Sequence, residues 1–163
     1  MIRALVTFGY VGLLRPAPGT WGSLAALALG LAIDRYLGFP ALVAACAAVT
    51  LAGFWAVPRA IAGQADPDPA EIVIDEVAGQ WLALAFPAAA FWSRGWEGWL
   101  PWPAPLAAFV LFRLFDIWKP WLVGRADRRG DAAGVMLDDL WAGLFAGVTT
   151  LAAAALAHGV LMR

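Results

Sequence analysis

Charge enters this chain in bursts, and the five apolar runs left between the bursts constrain its fold more than any single motif does. The runs are Leu24 to Ile33, Ala41 to Val57, Val77 to about Phe91, Pro105 to Trp118, and Leu140 to Leu161. Proline, glycine or clustered charge separates each from the next: Pro16, Pro18 and Gly19 before the first, Asp34 to Pro40 after it, Pro58 with the polar loop 64–69 before the third, and 93–103 before the fourth. Proline disfavours helical geometry in the residue before it, so these breaks delimit helices. The expected fold is all-α, a compact helical bundle in a single domain over residues 1–163, with four or five apolar helices.

The solvent for that bundle follows from composition. Hydrophobic residues make up 63% of the chain and charged residues 14%, against roughly 25% charged in soluble globular domains. The mean hydropathy is +0.74. A core of this size cannot hide so much apolar surface, so lipid is the expected surroundings and the chain reads as an integral membrane protein. A net charge of -1 argues against binding nucleic acid, which needs a clustered basic excess. Cys46 stands alone in an apolar run, so it offers neither a disulfide nor a cysteine metal cluster. No cleavable signal is expected, because Met1 to Leu14 leads into Arg15-Pro16 rather than a small-residue cleavage site.

If every apolar run crosses the bilayer, the N-terminus, the loop 58–76 and the loop 119–139 share one side. The first run is short against the roughly 20 residues a crossing needs, so it begins back at Thr20, thins the membrane, or dips in without crossing. Arg3, Arg15, Arg59, Arg113, Lys119, Arg125, Arg128 and Arg129 fall on the shared side, and Arg35, Arg94 and Arg163 on the other. The excess of positive charge makes the shared face cytoplasmic, which gives a multi-pass protein of the inner membrane. Trp92 and the tryptophans of 93–103 read as an interfacial loop on the opposite side. His158, far along the last run, reads as an interfacial or satisfied histidine.

The stretch from Arg113 to Asp139 holds five of the twelve acidic and five of the eleven basic residues. Arg113, Asp116 and Lys119 recur every three residues near a helix end, which Pro120 terminates. A basic, polar turn is expected from Gly124 to Gly130, after which Asp138 and Asp139 open the last helix, where the helix dipole favours anions. The third run likewise opens on Asp75 and Glu76. Capping accounts for one acid at a helix start, but adjacent acids repel, so two such pairs point to a hard cation held by oxygen, such as Mg²⁺. Asp75, Glu76, Asp138 and Asp139 are the candidate metal ligands, and with Asp116 they form the candidate catalytic acids. Arg113, Lys119 and Arg125 are candidate phosphate binders. Thr20 or Ser23 is placed to cap the first helix, and the same turn can aim backbone N–H groups at an anion, so both join the substrate-binding candidates.

Three blocks together resemble the phosphatidylglycerophosphatase A family: Arg15-Pro-Ala-Pro-Gly-Thr-Trp-Gly-Ser-Leu24, Asp68-Pro-Ala-Glu-Ile-Val-Ile-Asp-Glu-Val-Ala-Gly-Gln80, and Phe112-Arg-Leu-Phe-Asp-Ile-Trp-Lys-Pro-Trp121 continuing to Gly134-Val-Met-Leu-Asp-Asp-Leu-Trp-Ala-Gly143. They occur in the family's order over nearly the whole chain. The resemblance implies an all-helical, Mg²⁺-dependent phosphatase that removes the terminal phosphate of the membrane phospholipid phosphatidylglycerophosphate to give phosphatidylglycerol. One departure is visible: the family's Gly-Gly-x-Gly before the final acid pair is Asp131-Ala132-Ala133-Gly134 here.

Two other classes fit parts of the pattern. A small ion-coupled transporter needs ionisable groups near mid-bilayer, whereas the interiors of the second and last runs hold nothing stronger than threonine. A non-catalytic subunit binding anionic lipid explains the basic face but leaves two acid pairs without a purpose. The sequence does not speak to oligomeric state.

Overall fold

The structure, a computed structural model, describes residues 1–161, with side-chain surroundings through residue 157. Among the described residues it is all helical: α1 Ile2–Val6, α2 Pro18–Leu37, α3 Phe39–Ala60, α4 Ile74–Trp92, α5 Ala104–Trp118, α6 Leu122–Asp127 and α7 Ala132–Leu161, with a 3₁₀ turn at Val11–Leu13. The readings of the His158 side chain and of Arg163 lie outside the described residues.

The middle of the bundle is α4, which packs against α2, α3, α5 and α7. Eleven of its residues, from Ile74 to Ala88, are buried. Three apolar clusters surround it. Ile74 and Ala78 join Ala56, Val57 and Met136, Val77 and Trp81 join Ala26 and Leu42, and Ala83 joins Ala108, Phe112 and Ala142. Because α4 is enclosed on all sides, helices on the rim carry the outward apolar surface. Leu29, Leu51, Val110, Ile117 and Val148 are all exposed there.

Several boundaries differ from expectation, each for a local reason. Neither Thr20 nor Ser23 caps α2, which begins at Pro18 in the first-turn position that suits proline. It runs on through Asp34, Arg35 and Tyr36, so the expected turn over 34–40 shrinks to Gly38, whose φ of 84° suits glycine. Pro58 does not stop α3 but lies in its last turn. The expected turn from Gly124 to Gly130 is mostly the short helix α6.

The largest difference is α7, which begins at Ala132 rather than at the acid pair. Asp131 explains it: its Oδ1 accepts a 2.7 Å hydrogen bond from the Gly134 N–H, the geometry of a helix cap. Asp138 and Asp139 therefore sit in the second turn, beyond the reach of most of the dipole's effect.

Two helices, Phe39–Ala60 and the described part of α7, Ala132–Ala157, are long and apolar enough to cross a membrane. That is fewer than the four or five expected. The enclosed α4 opens on a pair of acids, α2 carries Asp34 and Arg35, and α5 has only 15 residues.

Candidate active site

The site is made by close contact between α4 and α7. A β-carbon at Gly143 would fall 2.3 Å from the Gly79 carbonyl oxygen, and one at Gly79 would fall 2.5 Å from that of Asp139. Only glycine permits such an approach. It draws the start of α4 onto the second turn of α7. As a result Asp75, Glu76 and Asp139 each offer an oxygen within 4.8 Å of the other two. Asp75 is 6% exposed and Asp139 3%, so this is a buried cluster of like charge, costly unless cations compensate it.

The two acid pairs share a local geometry. Asp75 Oδ1 accepts from the Glu76 N–H, and Asp138 Oδ1 from the Asp139 N–H, each at 3.0 Å. The backbone thus fixes the first acid of each pair. Their surroundings then diverge. Asp75 belongs to the three-carboxylate cluster, whereas Asp138 stands outside it and takes the Lys119 ammonium at 3.1 Å. The expected four-acid set is therefore three acids plus one held in an ion pair.

Lys119 reaches Asp138 because α5 ends there. Pro120 follows, and Lys119 adopts left-handed backbone with φ 52°, which turns its side chain toward α7. The same ammonium contacts Asp127 of α6. Burial works against its charge, but the two carboxylates prevail and raise its pKa above the ordinary lysine value. Lys119 is a permanent cation at the edge of the acid cluster.

Arg113 lies deeper, between α2 and α4. Its Nη1 meets Asp116 at 2.6 Å and donates to the Ser23 hydroxyl at 3.4 Å, while Ser23 Oγ donates to the Gly19 carbonyl at 2.7 Å. Glu76 completes this side, with an Oε2 that is buried and has no hydrogen-bond partner. The Arg113 Nε is buried and unpartnered as well. Asp116 in turn lies close enough to Asp139 for the two carboxylates to interact through space. Acid cluster and guanidinium thus form one continuous polar patch at one end of an apolar bundle. Such a patch can take an anion at Arg113 and a cation among the acids.

A family model for phosphatidylglycerophosphatase A matches residues 4–154. The chain belongs to the phosphatidylglycerophosphatase A family. It is similar to a phosphatidylglycerophosphatase A of Haemophilus influenzae, 37% identical over 142 residues, which cover 86% of this chain and 81% of that one. A phosphatidylglycerophosphatase A of Escherichia coli is 32% identical over 146 residues, 86% of this chain and 76% of that protein. A Bacteroides thetaiotaomicron protein, whose name proposes a phosphatidylinositol-3-phosphatase, is 37% identical over 134 residues, 79% and 78% of the two chains. No solved structure matches. Membership in the phosphatidylglycerophosphatase A family makes the chain a phosphatase, a phosphoric monoester hydrolase.

The three blocks that resemble the phosphatidylglycerophosphatase A family fold around this one patch. Asp75, Glu76, Asp116, Asp139, Arg113 and Ser23 come together, with Asp138 and Lys119 at the edge. Of the two other candidates, Thr20 follows Gly19 in α2 and its side chain makes no hydrogen bond among the described residues, while Arg125 is exposed on α6. The family departure is absorbed by α7, whose first turn includes Ala132 and Ala133. Sequence reasoning missed Asp127, which shares Lys119, and Gln80, whose fully buried amide has no partner at either polar atom. A lone amide inside an apolar run, four residues after Glu76, was the available signal for Gln80.

Proposed function

We propose that this phosphatase hydrolyses the terminal phosphomonoester of phosphatidylglycerophosphate, giving phosphatidylglycerol and phosphate, with Mg²⁺ as its cofactor. The observation that carries the reading is the meeting of Asp75, Glu76 and Asp139 within 4.8 Å beside the Arg113 guanidinium. The names of two relatives state the same activity for those proteins.

The donor set fits a hard divalent cation. It offers only carboxylate oxygens, from two helices, and Glu76 Oε2 is buried without a partner. Asp75, Glu76 and Asp139 would hold the ion, with Asp116 behind Asp139. When bound, it supplies positive charge that offsets repulsion between these acids and a phosphomonoester and polarises the phosphoryl oxygens.

The protein's own groups do the rest. Arg113 presents donors fixed by Asp116 and Ser23, so it stabilises charge on the phosphoryl oxygens without reorganising. Lys119 adds a second cation from the rim. The apolar outer faces let acyl chains stay in lipid while only the headgroup enters, which favours a lipid substrate over a soluble one.

We further infer a multi-pass protein of the inner membrane with this site on the cytoplasmic side. Support comes from the eight-to-three division of basic residues and from exposed tryptophans at both ends of the bundle. Trp55, Trp118 and Trp121 are exposed at the end bearing the acids, and Trp92, Trp96, Trp99 and Trp102 at the other. With 20 and 19 residues, α2 and α4 reach the ~30 Å of a bilayer core.

The test is phosphate release by purified protein from a panel of phospholipid phosphomonoesters, phosphatidylinositol 3-phosphate included, with and without Mg²⁺. Arg113→Ala should lower turnover on the order of 100-fold or more, and Arg128→Ala should cost far less. Equal, mild losses in both variants would overturn the mechanism. Faster hydrolysis of soluble glycerol phosphate than of the lipid would overturn the substrate.

A further inference from the structure

Gln80 is the polar side chain that the chemistry above leaves unused. It is fully buried, and neither its Oε1 nor its Nε2 has a hydrogen-bond partner. An amide left so costs on the order of 1–3 kcal/mol at each unmade bond, a poor choice for a position that leucine or methionine could fill.

The contacts of α4 say which way Gln80 faces. Val73 packs against Gly22 of α2, and Trp81 donates to the Ala26 carbonyl of the same helix at 2.7 Å. Ala83 packs with Ala108 and Phe112 of α5. At 100° per residue, Gln80 and Glu76 lie between these two directions, on the seam between α2 and α5. Glu76 occupies the upper part of that seam: a β-carbon at Gly19 would fall 2.1 Å from its Oε1 and 3.4 Å from Arg113 Nη1. Gln80 lies one turn deeper, ~5.4 Å toward the apolar interior of the bundle. Ser23, one turn below Gly19 on α2, borders the same seam and bonds Arg113.

We propose that Gln80 is a specificity-determining residue that binds a free hydroxyl on the carbon next to the phosphorylated one in the substrate headgroup. The inference rests on the proposed function. Phosphate accepts hydrogen bonds only, and Arg113 meets that need. An amide offers both a donor and an acceptor, which suits a group that does both, a hydroxyl. Depth agrees: in phosphatidylglycerophosphate the free hydroxyl lies between the phosphomonoester and the acyl chains, on the membrane side of the phosphate. The P–O–C–C–O path spans a few ångströms, comparable with the turn that separates Glu76 from Gln80. Phosphatidic acid, whose neighbouring oxygen is acylated, has no donor to offer the amide oxygen.

The experiment compares phosphatidylglycerophosphate with the same lipid built on propane-1,3-diol, which lacks the hydroxyl and keeps charge and length. Wild-type kcat/KM should favour the hydroxyl-bearing lipid on the order of 100-fold, because only the hydroxyl supplies partners to the buried amide. In Gln80→Met, close in size and without hydrogen bonds, the two values should converge to within about threefold, through loss on the natural headgroup alone. Equal values for both lipids in the wild-type enzyme overturn the proposal while leaving the phosphatase reading intact, and that arm stands even if the variant does not fold. Parallel losses on both lipids in Gln80→Met, with the ratio unchanged, overturn it too. Hydrolysis of neither lipid by the wild-type protein sinks the function on which it rests.

Discussion

Gly19 of α2 stands directly against Glu76 of α4, with no room between them for a β-carbon, which would fall 2.1 Å from Glu76 Oε1. The obstacle is the free end of a flexible side chain, so Gly19→Ala is expected to push the carboxylate aside rather than unfold the bundle. Alanine also favours the first turn of α2 by up to ~1 kcal/mol over glycine. Melting temperature should therefore hold or rise slightly. Phosphatase activity should fall on the order of 100-fold, the cost of misplacing a site group by about an ångström. Loss of activity together with a large drop in melting temperature would show that the glycine serves packing instead.

Lys119 bridges α5, α6 and α7 through Asp127 and Asp138. Its pKa is raised in the folded protein despite burial, which pushes the other way. A raised pKa stabilises fully below the unfolded lysine value of about 10.4 and is lost as pH climbs through the folded value above it. The melting-temperature advantage of wild type over Lys119→Met should thus stay level from about pH 7 to about pH 10. It should shrink only at more alkaline pH. An advantage that decays already between about pH 8 and about pH 9 would mean that Lys119 titrates early and that the ion pairs do not hold it. It would also allow Lys119 to shape the alkaline limb of the rate profile, whereas a raised value moves its titration to higher pH.

Much of this was readable from residues, and what was not has identifiable causes. The convergence of the acid and base motifs follows from loop parity, because apolar runs alternate direction and charge cannot easily lie within them. The end of α5 follows from Pro120. The start of α7 was misread because Asp138 and Asp139 looked like a helix opening, while the cap that acts, Asp131, sat within a charged stretch read as a turn. The split between Asp138 and the other acids was not legible at all. It depends on Lys119 turning through left-handed backbone, and on the α4 and α7 glycines, which set distances between residues some sixty positions apart. Gln80 escaped because an amide has no charge to mark it.

Membrane orientation makes a separate prediction. With Cys46 replaced by alanine, single cysteines at Asp68 and Arg128 should react with a membrane-impermeant thiol reagent only from the cytoplasmic side of sealed vesicles. A cysteine at Trp96 should react only from the other side. All three positions are exposed, and Cys46 is buried, so the background is clean. Reaction of Trp96→Cys and Arg128→Cys from the same side would remove the odd number of crossings that separates them, and with it the cytoplasmic placement of the acids.

The proposed cation site gives the last prediction, and the structure sharpens it beyond what four equivalent acids would allow. Asp75, Glu76 and Asp139 lie within 4.8 Å of one another, and no single helix supplies all three. A hard cation prefers about six oxygens, so losing any one of the three should weaken binding at a common site. Asp75→Asn, Glu76→Gln and Asp139→Asn should each raise the Mg²⁺ concentration needed for half-maximal activity by on the order of tenfold or more. Asp138→Asn removes no member of this group. It frees Lys119 from one of its two carboxylates, so it should alter KM for the lipid more than the requirement for Mg²⁺. Measuring activity against Mg²⁺ and lipid concentration in all four variants separates the two roles. If Asp138→Asn shifts the Mg²⁺ requirement as far as the other three, the acids act as one set of four. If the α4 substitutions leave it unmoved while Asp139→Asn abolishes it, α4 takes no part in holding the ion.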